Sequence, residues 1–173
     1  MEILTYPDPR LRVRGREVTE INEELLARAR EMFETMYRVR GVGLAATQVG
    51  WPARLFVLNL AAEPPSKENG AQEMICINPR IVSESGRSAE EEGCLSFPGV
   101  RGKVVRAARI TLEYLDEHGR PMCIEEPDLA AIAIQHEIDH LDGRLFISRM
   151  TQASREKIAS RLKEMEAEHA EKV

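Results

Sequence analysis

Nowhere does the sequence stay apolar for the roughly 18 to 20 residues that a membrane-spanning helix requires, so no membrane partner is expected. The first ten residues, MEILTYPDPR, hold charges and two prolines where a signal peptide would be apolar, which argues for a cytoplasmic protein. Cysteine is scarce: three residues, an odd number without C-x-x-C spacing, fit a reducing compartment better than a disulfide framework and leave at least one thiol for chemistry. Basic residues are outnumbered, 24 Lys and Arg against 29 Asp and Glu, and a net charge of -5 gives no global footprint for nucleic acid. Direct DNA binding is therefore not expected, although a local basic patch stays open. Internal repeats and low-complexity tracts are missing too. What remains, 43% hydrophobic and 31% charged residues in a chain of 173, is ordinary globular composition at a length that suits one domain with a core and a cleft.

Apolar residues Ile21, Leu25, Ala29, Met32, Phe33 and Met36 recur at helical spacing, which predicts an amphipathic helix from Thr19, as N-cap, to Arg38, with Gly41 beyond its end. Between Arg54 and Tyr114 the pattern changes to short β-rich runs, 55–60, 74–78, 80–83 and 110–115, read as antiparallel strands. Asp116-Glu117-His118-Gly119 reads as a hairpin connection to a return strand at 121–124. The stretch 61–73, with two prolines and Asn69-Gly70, reads as a surface loop. From Leu129 to Leu141 nearly every face is apolar, with Pro127 in the first turn and Gly143 ending the helix, which predicts burial. A last amphipathic helix, 153–170, carries Ile158, Leu162 and Met165 as a narrow stripe.

The buried helix contains Gln135-His136-Glu137-Ile138-Asp139-His140, five polar side chains out of six. Unpaired, each would cost about 1 to 3 kcal/mol, so something must satisfy them. His136 and His140 stand four apart, which places them on one helix face with Cβ atoms about 5 to 6 Å apart. Two such imidazoles can bind one ion at about 2.0 to 2.1 Å. Glu137 flanks them, able to reach a water without ligating, which is the H-E-x-x-H logic of a metal with a carboxylate base. The alternative is a hydrogen-bonded core network without metal. One protease class continues this motif through a glycine to a third histidine; here Gly143 is in register but Phe146 occupies the next position, so a third ligand must come from elsewhere. Cys94, in Glu92-Gly93-Cys94-Leu95-Ser96, is a candidate, although an inert buried thiol fits it as well when taken alone. Cys76 and Cys123 are assigned to that inert class. The segment Gly41-Val42-Gly43-Leu44-Ala45-Ala46-Thr47-Gln48 reads by itself only as a helix stop and a turn.

Taken together and in this order, G-V-G-L-A-A-T-Q, E-G-C-L-S and Q-H-E-I-D-H-L-D-G resemble the three signature motifs of peptide deformylases, and Tyr6-Pro7-Asp8-Pro9 extends the likeness from there to about Arg149. The chain is similar to the bacterial type with a C-terminal helix. With the predicted elements, this implies an α+β fold in which antiparallel sheets pack around a buried central helix carrying the metal motif, flanked by N-terminal and C-terminal amphipathic helices. Residues 1–150 would form the catalytic domain and 151–173 a C-terminal helix of the same domain.

The resemblance implies removal of the N-formyl group from the N-terminal methionine of new polypeptides. It assigns the ion to Cys94, His136 and His140, proton transfer to Glu137, and oxyanion stabilisation to the Gln48 amide and the Leu95 backbone N–H. It also implies that the substrate backbone pairs at Gly43, that Arg101 meets polar groups further along, and that Val42, Leu129, Ile132 and Ala133 line the methionine slot. Asp139 would pair with Arg106 or stand as a surface-facing acid. The ligand types alone suit zinc, whereas the resemblance implies Fe2+, with Zn2+, Ni2+ or Co2+ as substitutes. A monomer acting on N-formylmethionyl nascent peptides is expected, its last helix either touching the ribosome, as the resemblance implies, or presenting a plain solvated face. The alternatives are a related metallopeptidase or amidohydrolase, and a metal-stabilised binding module. Against the module, His118 and His169 fall in a turn and the terminal helix, away from the motifs.

Overall fold

A computed structural model of the chain describes residues 1–66 and 72–171. The first long helix, α1 (Glu23–Arg38), buries Leu25, Ala29, Met32, Phe33 and Met36, the stripe expected from the spacing. Its start differs from expectation. Asn22, not Thr19, caps it, its side chain accepting from the Leu25 N–H at 3.0 Å, and Glu23 and Glu24 follow where the helix dipole favours acids.

Five strands form one antiparallel sheet in the order β1-β2-β3-β6-β7: β1 (Gly43–Ala45), β2 (Leu55–Leu58), β3 (Met74–Ser85), β6 (Arg109–Leu115) and β7 (Pro121–Pro127). The runs read as two strands at 74–78 and 80–83 are one. Pairing of β3 with β6 shifts between Ile77 and Arg80, so a bulge absorbs Asn78-Pro79, and the Asn78 amide exchanges two 2.8 Å hydrogen bonds with the Val18 backbone. The return strand β7 also runs three residues beyond Ile124. At its hairpin, the Asp116 carboxylate accepts the His118 and Arg120 N–H groups at 2.9 Å. Cys123 is exposed on β7, not buried as expected, whereas Cys76 is buried. The loop expected at 61–73 begins with an Asn59-anchored turn, while Asn69-Gly70 lie outside the described residues.

A second sheet of two strands, β4 (Ser88–Cys94) and β5 (Phe97–Arg106), was not expected. Strict alternation along β5 turns Val100, Gly102, Val104 and Arg106 inward. That rhythm carries a guanidinium into the interior.

Helix α2 (Asp128–Leu141) packs against the five-stranded sheet, and its residues 130–141 are all buried. Pro127 stands at its cap and Asp128 opens it, one residue earlier than expected. Gly143, at φ +70, ends it, and a Cβ there would collide with the Arg12 carbonyl oxygen. Helix α3 (Gln152–Ala170) is capped by Thr151. It buries Ile158 and Met165 against Phe97, Val100 and Val104. Tyr6 donates to Glu166 across this contact at 2.5 Å. The result is α+β, with two antiparallel sheets and the motif helix at the centre.

Candidate metal centre

Three segments converge on one face of α2. Residues four apart bring His136 and His140 together with ring centroids 5.0 Å apart. Cys94, at the end of β4, completes the group: its Sγ stands 3.2 Å from His140 Nε2, and one ligand atom from each of the three lies within 4.8 Å of the others. Around a four-coordinate ion with usual bond lengths, sulfur and nitrogen ligands sit about 3.6 Å apart, so this triangle has the size of a metal site. No other group of three metal-ligating side chains forms among the described residues. His118 lies in the Asp116–Arg120 turn and His169 in α3, as expected.

The charges around the triangle explain its protonation. His136 donates or accepts at Nδ1 with Glu92 Oε2 at 2.9 Å, which turns its other nitrogen inward. Burial disfavours a charged His136, but the neighbouring Cys94 and Glu92 outweigh it and raise its pKa to about 10. His140 goes the other way: burial, then the charges of His136 and Arg106, hold it well below the usual imidazole range. Binding a cation here therefore has to displace a proton from His136.

Glu92 itself belongs to a buried ion network. Arg106 reaches it through Nε at 2.5 Å and Nη2 at 2.9 Å, and gives Nη1 to Asp139 at 2.8 Å. Arg149 closes the chain on Asp139 at 2.6 Å. Burial pushes the Glu92 carboxyl up, yet its bonds to His136 and Arg106 leave it below the ordinary value. The expected Asp139–Arg106 pair is present. Glu92, not singled out beforehand, stands two residues before Cys94 in the same motif, the one sequence signal that could have drawn it in, and the pairing of β4 with β5 shifts between Gly93 and Cys94. Gln135 is satisfied by the backbone, bonding both the N–H and carbonyl of Ala107. The core-network alternative thus describes Gln135, Asp139 and the Nδ1 side of His136, while Cys94 Sγ faces the two imidazoles on the other side.

Glu137 is different. It is buried, its Oε2 has no hydrogen-bond partner among the described residues, and burial raises its carboxyl to about 7 against the pull of His136 and Arg106. Glycine at 43 makes room for it, because a Cβ there would stand 2.5 Å from Glu137 Oε1. Among the described residues, His140 Nδ1 is the other buried side-chain nitrogen or oxygen without a partner. Buried polar atoms left over beside a cysteine sulfur and two imidazoles fit a site built for a divalent ion.

Gln48 is held by two contacts: its Oε1 accepts from the Ala45 N–H at 2.9 Å and its Nε2 donates to Ser96 Oγ at 3.1 Å, with Cys94 Sγ 3.7 Å away. Ser96 was also not anticipated. The N-terminal segment ties these turns together, Leu4 N–H donating to the Gln48 carbonyl and Tyr6 N–H to that of Ser96. This gives the Tyr6-Pro7-Asp8-Pro9 stretch a structural purpose.

A cleft of about 940 Å³ opens onto the centre. Its lining includes every expected site residue except His140, which sits behind it. Ile132 and Ala133 are buried at its wall, and Leu129 is exposed at its mouth. Their spacing from His136 and Glu137 puts all five on one helix face. Arg101 is exposed and pairs with Glu91 across the hairpin at 3.1 Å.

A profile of the polypeptide deformylase family matches residues 1–156. The chain belongs to this family. It is 43% identical over 162 residues to peptide deformylase 1 of Shewanella oneidensis, covering 94% of this chain and 93% of that one. Among solved structures, peptide deformylase 1B of Arabidopsis thaliana, crystallised with an inhibitor, superposes with a TM-score of 0.93 at 38% identity, covering 100% of this chain and 94% of the other. The Plasmodium falciparum peptide deformylase gives a TM-score of 0.92 at 40% identity, covering 98% and 97%. This deformylase is a metal-dependent hydrolase that removes the N-formyl group from the N-terminal methionine of newly synthesised polypeptides, releasing formate. The metallopeptidase and binding-module alternatives fall with that membership.

Proposed function

We propose that Cys94, His136 and His140 hold one Fe2+ ion and that Glu137 moves the proton during deformylation. The unpartnered Glu137 Oε2 on the cleft beside the three ligands carries this reading. A bound divalent ion supplies Lewis acidity, lowering the pKa of water and polarising a carbonyl. Glu137, near neutrality in its buried setting, takes a proton from the attacking water and delivers it to the leaving amine nitrogen. Gln48 Nε2 and the Leu95 N–H meet the formyl oxygen as negative charge develops there. Extended β1 pairs with the substrate backbone at Gly43, and Val42, Leu129, Ile132 and Ala133 receive the methionine side chain. Arg101, at the rim, meets groups further along the peptide.

One thiolate with two imidazoles suits zinc by ligand type. The thiolate's charge, however, dampens Lewis acidity, which favours an ion that accepts an added ligand easily, and Fe2+ is assigned on that ground with Zn2+, Ni2+ or Co2+ as substitutes. Residues 1–150 and the helix within 151–173 act as one catalytic unit, a monomer in the cytoplasm. No described helix is long and apolar enough to cross a membrane. The exposed Lys157 and Lys163 of α3 support a ribosome contact on that helix.

Purification under argon tests the assignment. The expected protein contains one iron per chain, hydrolyses formyl-Met-Ala but not acetyl-Met-Ala, and loses activity in air. Equal kcat/KM after zinc reconstitution would remove the iron assignment, and cleavage of the acetyl peptide would remove the small acyl site.

A further inference from the structure

A second cleft, about 600 Å³, opens on a different face of α2, against Gln135, Ile138, Asp139 and Asp142. Six arginines from separate segments line it: Arg54, Arg80, Arg87, Arg106, Arg144 and Arg149. Three carboxylates share the lining, Glu84, Asp139 and Asp142, and two more, Glu92 and Glu113, pair with Arg106 and Arg80 from outside it, so six arginines face five carboxylates in a chain whose net charge is -5. Asp139 is shared by Arg106 and Arg149, and Asp142 pairs with Arg54 at 2.9 Å. Arg87 and Arg144 are exposed, and their side chains have no hydrogen-bond or ion-pair partner among the described residues. Concentrating like charges in a recess costs electrostatic energy that a bound polyanion would recover.

We propose that this cleft binds an RNA strand through its phosphates. Planar guanidinium forks match phosphate oxygens two at a time, and the free forks of Arg87 and Arg144 in one recess with the partly exposed Arg54, Arg80 and Arg149, each able to share its present pair, suit successive phosphates of a strand better than one small anion. The recess is concave, with Ser85 and Gln135 among its polar lining, which fits a strand and not a flat lipid surface. The inference stands apart from the metal reading, since neither Arg87 nor Arg144 touches the centre.

The test is fluorescence anisotropy of a labelled single-stranded RNA oligonucleotide with metal-loaded enzyme at two salt concentrations, comparing wild type with Arg87→Glu/Arg144→Glu. Each neutralised phosphate of a single strand contributes about 0.7 to the slope of log K against log salt, so the double variant should lose at least about 1.4 from that slope. Its affinity should fall at least about tenfold at low salt, while formyl-Met-Ala hydrolysis, measured on the same samples, stays unchanged and reports an intact fold. Lys157→Glu/Lys163→Glu on α3 should leave oligonucleotide binding within about twofold, as neither lysine is part of the cleft. Absence of wild-type RNA binding, undiminished binding by the cleft variant, or loss that follows the α3 variant instead would overturn the proposal. So would binding of pyrophosphate or phosphatidylglycerol vesicles without binding of RNA.

Discussion

Replacing Glu137 with glutamine keeps the side chain's shape and removes its charge. The wild-type carboxyl is raised by burial to about 7, from an ordinary 4.5, and that difference corresponds to roughly 3 kcal/mol. Between those two values the folded chain holds a proton that the unfolded chain has released, so wild-type stability falls as pH rises through this window. The glutamine variant has no such loss. His136 keeps its Cys94 and Glu92 neighbours in both proteins and loses only the Glu137 charge, which ranks below both among the influences on it, so the Glu137 carboxyl dominates the comparison. Urea unfolding of the metal-free proteins at about pH 5 and about pH 8 should therefore show the variant gaining roughly 2 to 3 kcal/mol on the wild type across that interval. A constant offset, from an amide that finds no partner, does not affect the slope. In the metal-loaded enzyme the same substitution should retain the ion and lower kcat by about 10² to 10⁴, the usual range for a lost acid-base group. A stability difference identical at both pH values would refute the claim that ionised Glu137 is costly in the fold. Loss of the ion would make Glu137 a ligand.

Gly43→Ala should lower kcat with metal content unchanged, because the added methyl stands 2.5 Å from Glu137 Oε1; unaltered turnover would show that the carboxylate tolerates displacement. Arg106→Met should cost about 3 to 5 kcal/mol in urea unfolding, since it leaves Glu92 and Asp139 buried without their shared cation; a cost under about 1 kcal/mol would contradict the network's importance. Ending the chain after Met150 exposes the core faces that cover Ile158 and Met165 and removes both residues. At about 1.5 to 3 kcal/mol each, it should lower the melting temperature markedly, and an unchanged Tm would mean α3 is an appendage. Lys157→Glu/Lys163→Glu, by contrast, should spare both fold and peptide hydrolysis while weakening ribosome binding in sedimentation.

Helical periodicity was legible for α1, α2 and α3 because one apolar stripe, or a wholly apolar surface, leaves a distinct spacing. The β4–β5 hairpin was not. Ser88–Cys94 has three consecutive glutamates at its centre and β5 carries three charged residues facing out or in, so neither strand stands out by hydrophobicity. Yet alternation was there in Val100, Val104 and Arg106, and reading it would have placed the arginine inside. The three motifs brought Cys94, His136 and His140 forward because metal chemistry restricts residue type, and the fold groups one ligand atom from each within 4.8 Å. Glu92 and Ser96 flank Cys94 within one motif, but their bonds to His136 and Gln48, like the Leu4 and Tyr6 backbone contacts, join segments that only the fold brings near. The arginine cleft was hidden for a related reason: its six members are spread from Arg54 to Arg149, and the chain's net negative charge masks them.

The ion pairs linking Glu92 on β4, Arg106 on β5 and Asp139 on α2 have a consequence for metal supply. They fasten the hairpin that bears Cys94 to the helix that bears the histidines. A single buried arginine thereby sets the spacing of two segments far apart in the chain, and a change at Arg106 would alter how readily a divalent ion is taken up and kept although Arg106 is none of the three side chains that would hold it.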